Sequence, residues 1–140
     1  CPRGIVKGID YSPVSVEKSQ KVNADAIAKG RCTILQGSVA KRIFAEGWFD
    51  AVTAFETVYF WPELPQCFHE IHRMLKPGGM FLICNESSGD TDKDEKWTKI
   101  IDGMTIYKDV ELKADLEQAG FRDVQIHKNK WGWLCVTARK

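Results

Sequence analysis

The chain of 140 residues has almost no net charge, since 20 Lys and Arg stand against 19 Asp and Glu for a formal +1. The two signs are interspersed, so no broad field exists to collect nucleic acid or anionic lipid, and neither is expected as a partner. No apolar stretch approaches the roughly 20 residues that span a bilayer, and the opening Cys1-Pro2-Arg3 begins no signal peptide. A cytoplasmic protein is the default expectation. Five cysteines, at positions 1, 32, 67, 84 and 135, are odd in number and match no metal or redox spacing. They read as small buried hydrophobes, Cys67 on a helix and Cys32, Cys84 and Cys135 in strand-like runs. No internal repeat or low-complexity tract is visible. His69 and His72 stand three apart, not the four of a zinc-protease helix, so no metal site is expected.

What is present is enough apolar residue, 44%, for a core of one domain over residues 1–140. The organising stretch is 49–86. Phe49, Ala51, Val52, Ala54 and Phe55 form a short run suited to a strand covered on both faces. Leu64, Cys67, Phe68, Ile71, Met74 and Leu75 then recur at three- and four-residue steps, which predicts one apolar side of a helix. Pro77 ends the pattern, Gly78-Gly79 allow a sharp reversal, and residues 80–84 are again continuously apolar. Two buried strands joined by an amphipathic helix make a βαβ unit.

Upstream, residues 5–9 predict a strand, and Ser12-Pro13 caps a helix to about Lys29, with Gly30 as its stop. Residues 32–35 are the next strand, and a weakly patterned short helix is expected over 40–46. Downstream, residues 87–96 read as an exposed polar loop, followed by a short apolar helix from Trp97. Asp109 caps a helix through Ala119, and residues 124–127 and 133–138 form an antiparallel hairpin. The expected fold is therefore an α/β three-layer sandwich, mostly parallel, with an antiparallel hairpin at its end.

The run MLKPGGMFLI after a helix, FDAV some thirty residues earlier and GIVKGIDYSP near the start together resemble a class I S-adenosylmethionine-dependent methyltransferase. The likeness covers essentially the whole chain and is greatest to small-molecule enzymes of the quinone-biosynthesis type. It implies a Rossmann-like domain whose first strand, helix and glycine-rich loop are missing, so that the chain reads as N-terminally truncated. A start without Met, at Cys1-Pro2-Arg3, agrees with an upstream segment. The resemblance implies S-adenosylmethionine as cofactor, a small-molecule acceptor and methyl transfer by in-line displacement.

It also implies site residues. Asp10 would accept from the ribose hydroxyls, as an ionised carboxylate suits a vicinal diol, although an Asp also favours the turn before Ser12. Tyr11 would lie against the adenosine. Gly37-Ser38-Val39 stands where the family has Gly-Asp-Ala, so Ser38 replaces an acid with a weaker acceptor, and the Val39 amide would reach the adenine ring. Phe55 and Glu56 would face the methionine part. Glu56 and Tyr59 are the candidate bases, and Tyr59, Trp61, Asn85 and Glu86 the candidate substrate contacts beneath a lid of residues 97–107. Packing is the alternative for the aromatic rings, solvation for Asn85 and Glu86. His127 reads as a lone strand histidine, and Lys128, Lys130, Arg139 and Lys140 as a solvated edge. A dinucleotide oxidoreductase would also place an acid at Asp10, but the terminal hairpin argues against it. A non-catalytic interaction fragment is the other alternative, because the glycine-rich loop implied as missing is the part of the family that approaches the cofactor's methionine moiety most closely. The strand implied as missing would also leave unpaired edges on 5–9 and 49–55 that invite homo-oligomer formation.

Overall fold

The computed structural model describes residues 4–90 and 92–140. Cys1, Pro2 and Arg3, and with them the reading of the chain start and of the first cysteine, lie outside the described residues, as does Thr91 of the polar loop. The chain divides into two compact units, one ending at Ile43 and one spanning Phe44–Lys140.

The first unit is a parallel two-strand layer with helices in its crossover. Strand β1 (Val6–Asp10) leads to α1 (Pro13–Val22) and α2 (Ala24–Ala28), and β2 (Cys32–Gln36) follows. The Ser12 hydroxyl accepts from the Ser15 amide at 3.4 Å, satisfying one of the amides that a helix start leaves without a partner. The helix expected to reach Lys29 is broken at Asn23, whose backbone leaves helical geometry and whose side chain donates to the Ser19 carbonyl at 2.9 Å. That side-chain bond competes with continued helix, and the thin apolar face gives little to oppose it. Val16 is buried in α1, and the expected helix over 40–46 is a series of turns and bends. β1 and β2 pair in parallel from Val6↔Cys32 to Asp10↔Gln36.

The second unit holds a four-stranded sheet in the order β3-β4-β6-β5. β3 (Phe49–Phe55) runs parallel to β4 (Leu75–Asn85), and β6 (Leu134–Arg139) is antiparallel to both β4 and β5 (Arg122–Lys128). Between β3 and β4 lie a single 3₁₀ turn, Val58–Phe60, and α3 (Leu64–Met74). α3 buries Leu64, Cys67, Phe68, Ile71 and Met74, the face its spacing predicts. Full burial of each large apolar side chain stabilises by roughly 1.5–3 kcal/mol, so this face anchors α3 on the sheet. α4 (Asp92–Ile100) begins inside the segment expected to be loop, and α5 (Asp109–Gln118) follows. The start of α5 is held by Glu111, whose carboxylate accepts from the Lys108 amide at 2.7 Å.

Register decides the layering. Phe81↔Ala138, Ile83↔Val136 and Asn85↔Leu134 are opposite one another, and all six are buried on the face that α3 and α5 cover. The alternate residues Leu82, Cys84, Cys135 and Thr137 share the other face and are only half-buried. β3 departs further from the sequence reading: Ala54 is its one buried residue, while Asp50, Ala51, Thr53 and Phe55 are exposed. An apolar run cannot report which side of a strand receives a cover, and β3 has only β4 as a strand neighbour among the described residues. β1 likewise pairs only with β2. The cysteines need the same correction. Among the described cysteines only Cys67 is buried, and Cys32, Cys84 and Cys135 are half-buried.

Candidate active site

The carboxyl ends of parallel strands are where an open α/β sheet presents its loops to a ligand. In the first unit the pairing of Asp10 with Gln36 brings the ends of β1 and β2 side by side, and the Gly37 amide donates to the Asp10 carbonyl at 2.9 Å. Asp10 is therefore next to Gly37, two residues that the sequence separates by 26 others. One Asp10 carboxylate oxygen accepts from the Ser12 amide at 2.8 Å, so Asp10 does serve the turn. That bond takes one of its two oxygens. Tyr11 is 67% exposed, a free aromatic face beside the carboxylate, whereas Val39 is buried. The Ser38 hydroxyl accepts from the Ala40 amide at 3.3 Å and its carbonyl from Lys41 at 3.0 Å, which makes it a turn residue. A Cβ on Gly37 would lie 2.4 Å from the tip of Ile43, so the small residue is required by space unless Ile43 moves.

In the second unit β3 ends in Phe55, 57% exposed, and Glu56, which adopts a left-handed φ of 55°. A non-glycine residue pays for that conformation, and the bonds around Glu56 oppose the cost. Its amide donates to the Cys84 carbonyl at 3.0 Å, and its carboxylate accepts from the Glu86 amide at 2.6 Å. Desolvation raises the Glu56 pKa above the usual carboxylate value, with the Glu86 amide pulling the other way. Glu56 and Glu86 are thus brought together as a rigid pair across the ends of β3 and β4.

Tyr59 is buried, and its hydroxyl is occupied on both sides by Ser87, accepting from the amide at 2.9 Å and donating to the carbonyl at 3.2 Å. Burial pushes the phenol up to about 12. Trp61 stacks on Phe81 with rings 10° from parallel and meets Phe68 edge-on at 6.2 Å. Neither ring lines the cleft described next, and both belong to packing. The physical reason is the 3₁₀ turn, which aims Val58 and Tyr59 inward and leaves Phe60 36% exposed.

A cleft of about 380 Å³ opens over the strand ends of this unit, lined by Phe55, Glu56, Asn85 and Glu86 together with residues from the hairpin. This volume lies within the range of small-molecule sites. The hairpin residues of the cleft, among them Cys135, His127 and Trp133, were not legible in advance, because only the antiparallel register sets Cys135 opposite Cys84 on β4 and His127 beside Cys135 on β5. Lys128 is exposed, as expected of a solvated edge, and also bonds to Asp90 and, at 2.7 Å, to Asp109; burial lowers its pKa, but those acids outweigh it and raise the pKa above the usual lysine value. Asn85 is buried, and both polar atoms of its side chain have no hydrogen-bond partner among the described residues. No group of three or more His, Cys, Asp and Glu among the described residues is arranged to hold a metal ion.

Comparison with known proteins follows the same outline. Among relatives, cycloartenol-C-24-methyltransferase of Arabidopsis thaliana is 30% identical over 129 residues, covering 84% of this chain and 38% of the relative. Demethylmenaquinone methyltransferase of Symbiobacterium thermophilum is 34% identical over 88 residues, covering 63% of this chain and 35% of its own length. Among solved structures, a chain from the complex of the Haloferax volcanii Trm112 methyltransferase activator with a methyltransferase superposes with a TM-score of 0.85 at 21% identity, over 97% of this chain and 71% of that one. At that identity the likeness speaks for fold alone. The chain spans between 23% and 38% of the length of the first four curated relatives. The family model described as "Methyltransferase domain" matches residues 2–83, more than half of the sequence, and the chain belongs to that family.

Proposed function

We propose that the chain belongs to an enzyme that transfers a methyl group from S-adenosylmethionine to a small-molecule acceptor. The observation that carries this reading is the register of β1 on β2, which sets the Asp10 carboxylate beside Gly37 and the Ser38-Val39 turn. An acceptor-only carboxylate, an exposed aromatic ring at Tyr11 and a close-packed backbone at Gly37 suit a nucleoside, with Asp10 receiving the two ribose hydroxyls. These residues fit the adenosine half of the cofactor. When bound, that cofactor supplies a methyl group already activated as a sulfonium.

The task left to the protein is alignment and exclusion of water, and alignment of this kind is worth on the order of 7–11 kcal/mol of barrier. In the second unit, Phe55 and Glu56 are assigned to the methionine part, and Asn85 and Glu86 to the acceptor. Glu56 is the better candidate base of the two: its raised pKa moves it toward the neutral range where a general base works best, whereas the Tyr59 hydroxyl is committed to Ser87. The apolar character of the cleft, with Phe55, Trp133 and Leu134 in its wall, supports an acceptor with a large hydrocarbon part. Relatives named for cycloartenol and demethylmenaquinone are in keeping with that class.

Cytoplasmic residence is part of the same proposal, and no helix among the described residues is long and apolar enough to cross a membrane. The open edges of β1 and β3 support self-association, read directly from the solution mass. The deciding experiment is titration of isotope-labelled chain with S-adenosylhomocysteine followed by amide chemical shifts. Saturable shifts at Tyr11, Gly37 and Val39 are expected. Shifts absent there up to millimolar ligand overturn the assignment.

A further inference from the structure

We propose that Cys84 and Cys135 are an oxidisable dithiol, a modification site at which a peroxide closes a reversible disulfide between β4 and β6. The two residues are direct partners in the antiparallel register, and the Cys84 thiol donates to the Cys135 sulfur at 3.6 Å. Both are free and half-buried, and both line the cleft, so a small oxidant reaches them. Neither Cys32 nor Cys67 resembles them: Cys67 is buried with its thiol on the Pro62 carbonyl at 2.9 Å, and Cys32 sits in the other unit.

The chemistry balances with the peroxide as the sole oxidant. One thiolate attacks a peroxide oxygen and breaks the O–O bond, giving a sulfenic acid and water. The second sulfur then attacks the sulfenyl sulfur, an S–S bond forms, the S–O bond breaks, and a second water leaves. Two thiols are oxidised by two electrons and one peroxide is reduced.

Directly opposed residues of an antiparallel pair have Cβ atoms about 4.5–5.5 Å apart, whereas a disulfide wants about 3.5–4.5 Å. Closure therefore draws β4 toward β6 and leaves a bond that thiols reduce readily. Burial, the neighbouring Cys135 and the Glu56 charge together push the Cys84 thiol up to about 11, so oxidation is slow at neutral pH and quickens in alkali. Cys84 immediately precedes Asn85 and Glu86, and its carbonyl receives the Glu56 amide, so the bond tightens the strand end that carries the cleft. That last consequence rests on the proposed methyl transfer, while the bond itself is read without any activity.

The test exposes the native full chain to hydrogen peroxide at pH 7 and pH 9, alkylates the remaining thiols and maps the peptides by mass. The expected result is one internal Cys84–Cys135 link, formed faster at pH 9, reversed by dithiothreitol, and absent from both Cys84→Ser and Cys135→Ser with unchanged circular dichroism. Full alkylation of Cys84 and Cys135 after exposure overturns the proposal, as does a link that maps to Cys1, Cys32, Cys67 or a second chain.

Discussion

The Tyr59 hydroxyl and the Ser87 backbone form a reciprocal pair, the amide donating at 2.9 Å and the carbonyl accepting at 3.2 Å, across 28 residues of sequence. The pair ties the turn after β3 to the segment that leaves β4. Tyr59→Phe removes both bonds and strands two buried backbone groups, which costs about 1–3 kcal/mol. The expected outcome is a lower urea midpoint with an unchanged slope. An unchanged midpoint together with a loss confined to turnover would return Tyr59 to the role of base.

Asp10→Ala removes the acceptor assigned to the ribose hydroxyls. Hydrogen bonds to a charged group contribute about 1.5–3 kcal/mol, so the affinity for S-adenosylhomocysteine should fall roughly 10- to 150-fold by calorimetry or shift titration. Asp10→Asn keeps the bond to Ser12 and separates cofactor binding from the turn. Equal affinity in wild type and Asp10→Ala removes Asp10 from the site.

His72 makes stability depend on pH in a stated direction. Burial lowers its folded pKa, and the nearby positive charges of Lys140 and His69 lower it further, while its edge packs on Phe121 at 5.1 Å. The folded chain therefore favours neutral His72 more than the unfolded chain does, and the unfolded chain takes up a proton near the ordinary value of about 6.5. Its contribution is complete above that value and is lost as the pH falls through the folded pKa. Urea midpoints should drop between pH 7.5 and pH 5, and His72→Gln should flatten that dependence. A slope identical in the variant assigns the effect to other groups.

Gly78 and Gly79 play different parts where β4 shifts register against β3 between Leu75 and Met80. Gly78 has φ +76° with open space where a Cβ would stand, so Gly78→Ala meets only the left-handed backbone cost of about 1–2 kcal/mol. At Gly79 a Cβ would be 2.9 Å from the Lys76 carbonyl oxygen and 3.2 Å from that of Asp50, both backbone atoms that cannot step aside. Gly79→Ala should therefore cost more than Gly78→Ala in thermal or urea denaturation, by overpacking worth about 1–3 kcal/mol. The reverse order would show that the β3–β4 junction is plastic.

What was legible in advance were features governed by local periodicity. The face of α3 follows from the spacing of Leu64, Cys67, Phe68, Ile71 and Met74, and five of the six strands fall within two residues of the runs that predict them, at both ends. The break at Asn23 was not legible, because one side-chain bond to Ser19 outweighs a weak apolar stripe. Nor was α4, whose composition is that of a polar loop.

By itself the sequence determined most of the strands, the apolar face of α3 and the candidates at Asp10, Gly37 and Glu56, since each depends on residues adjacent in the chain, whereas the reversal expected at Gly78-Gly79 is an irregularity inside the continuous strand β4. Only tertiary structure decided which face of each strand was covered, and with it the fate of Cys84, Cys135 and β3. It also decided that Tyr59 and Trp61 pack inward, and that His127, Trp133 and Cys135 line the cleft beside Asn85 and Glu86. The reason is physical. Strand register and layer contacts join residues far apart in the chain, 51 positions in the case of Cys84 and Cys135, and a chain-local pattern carries no record of its partner.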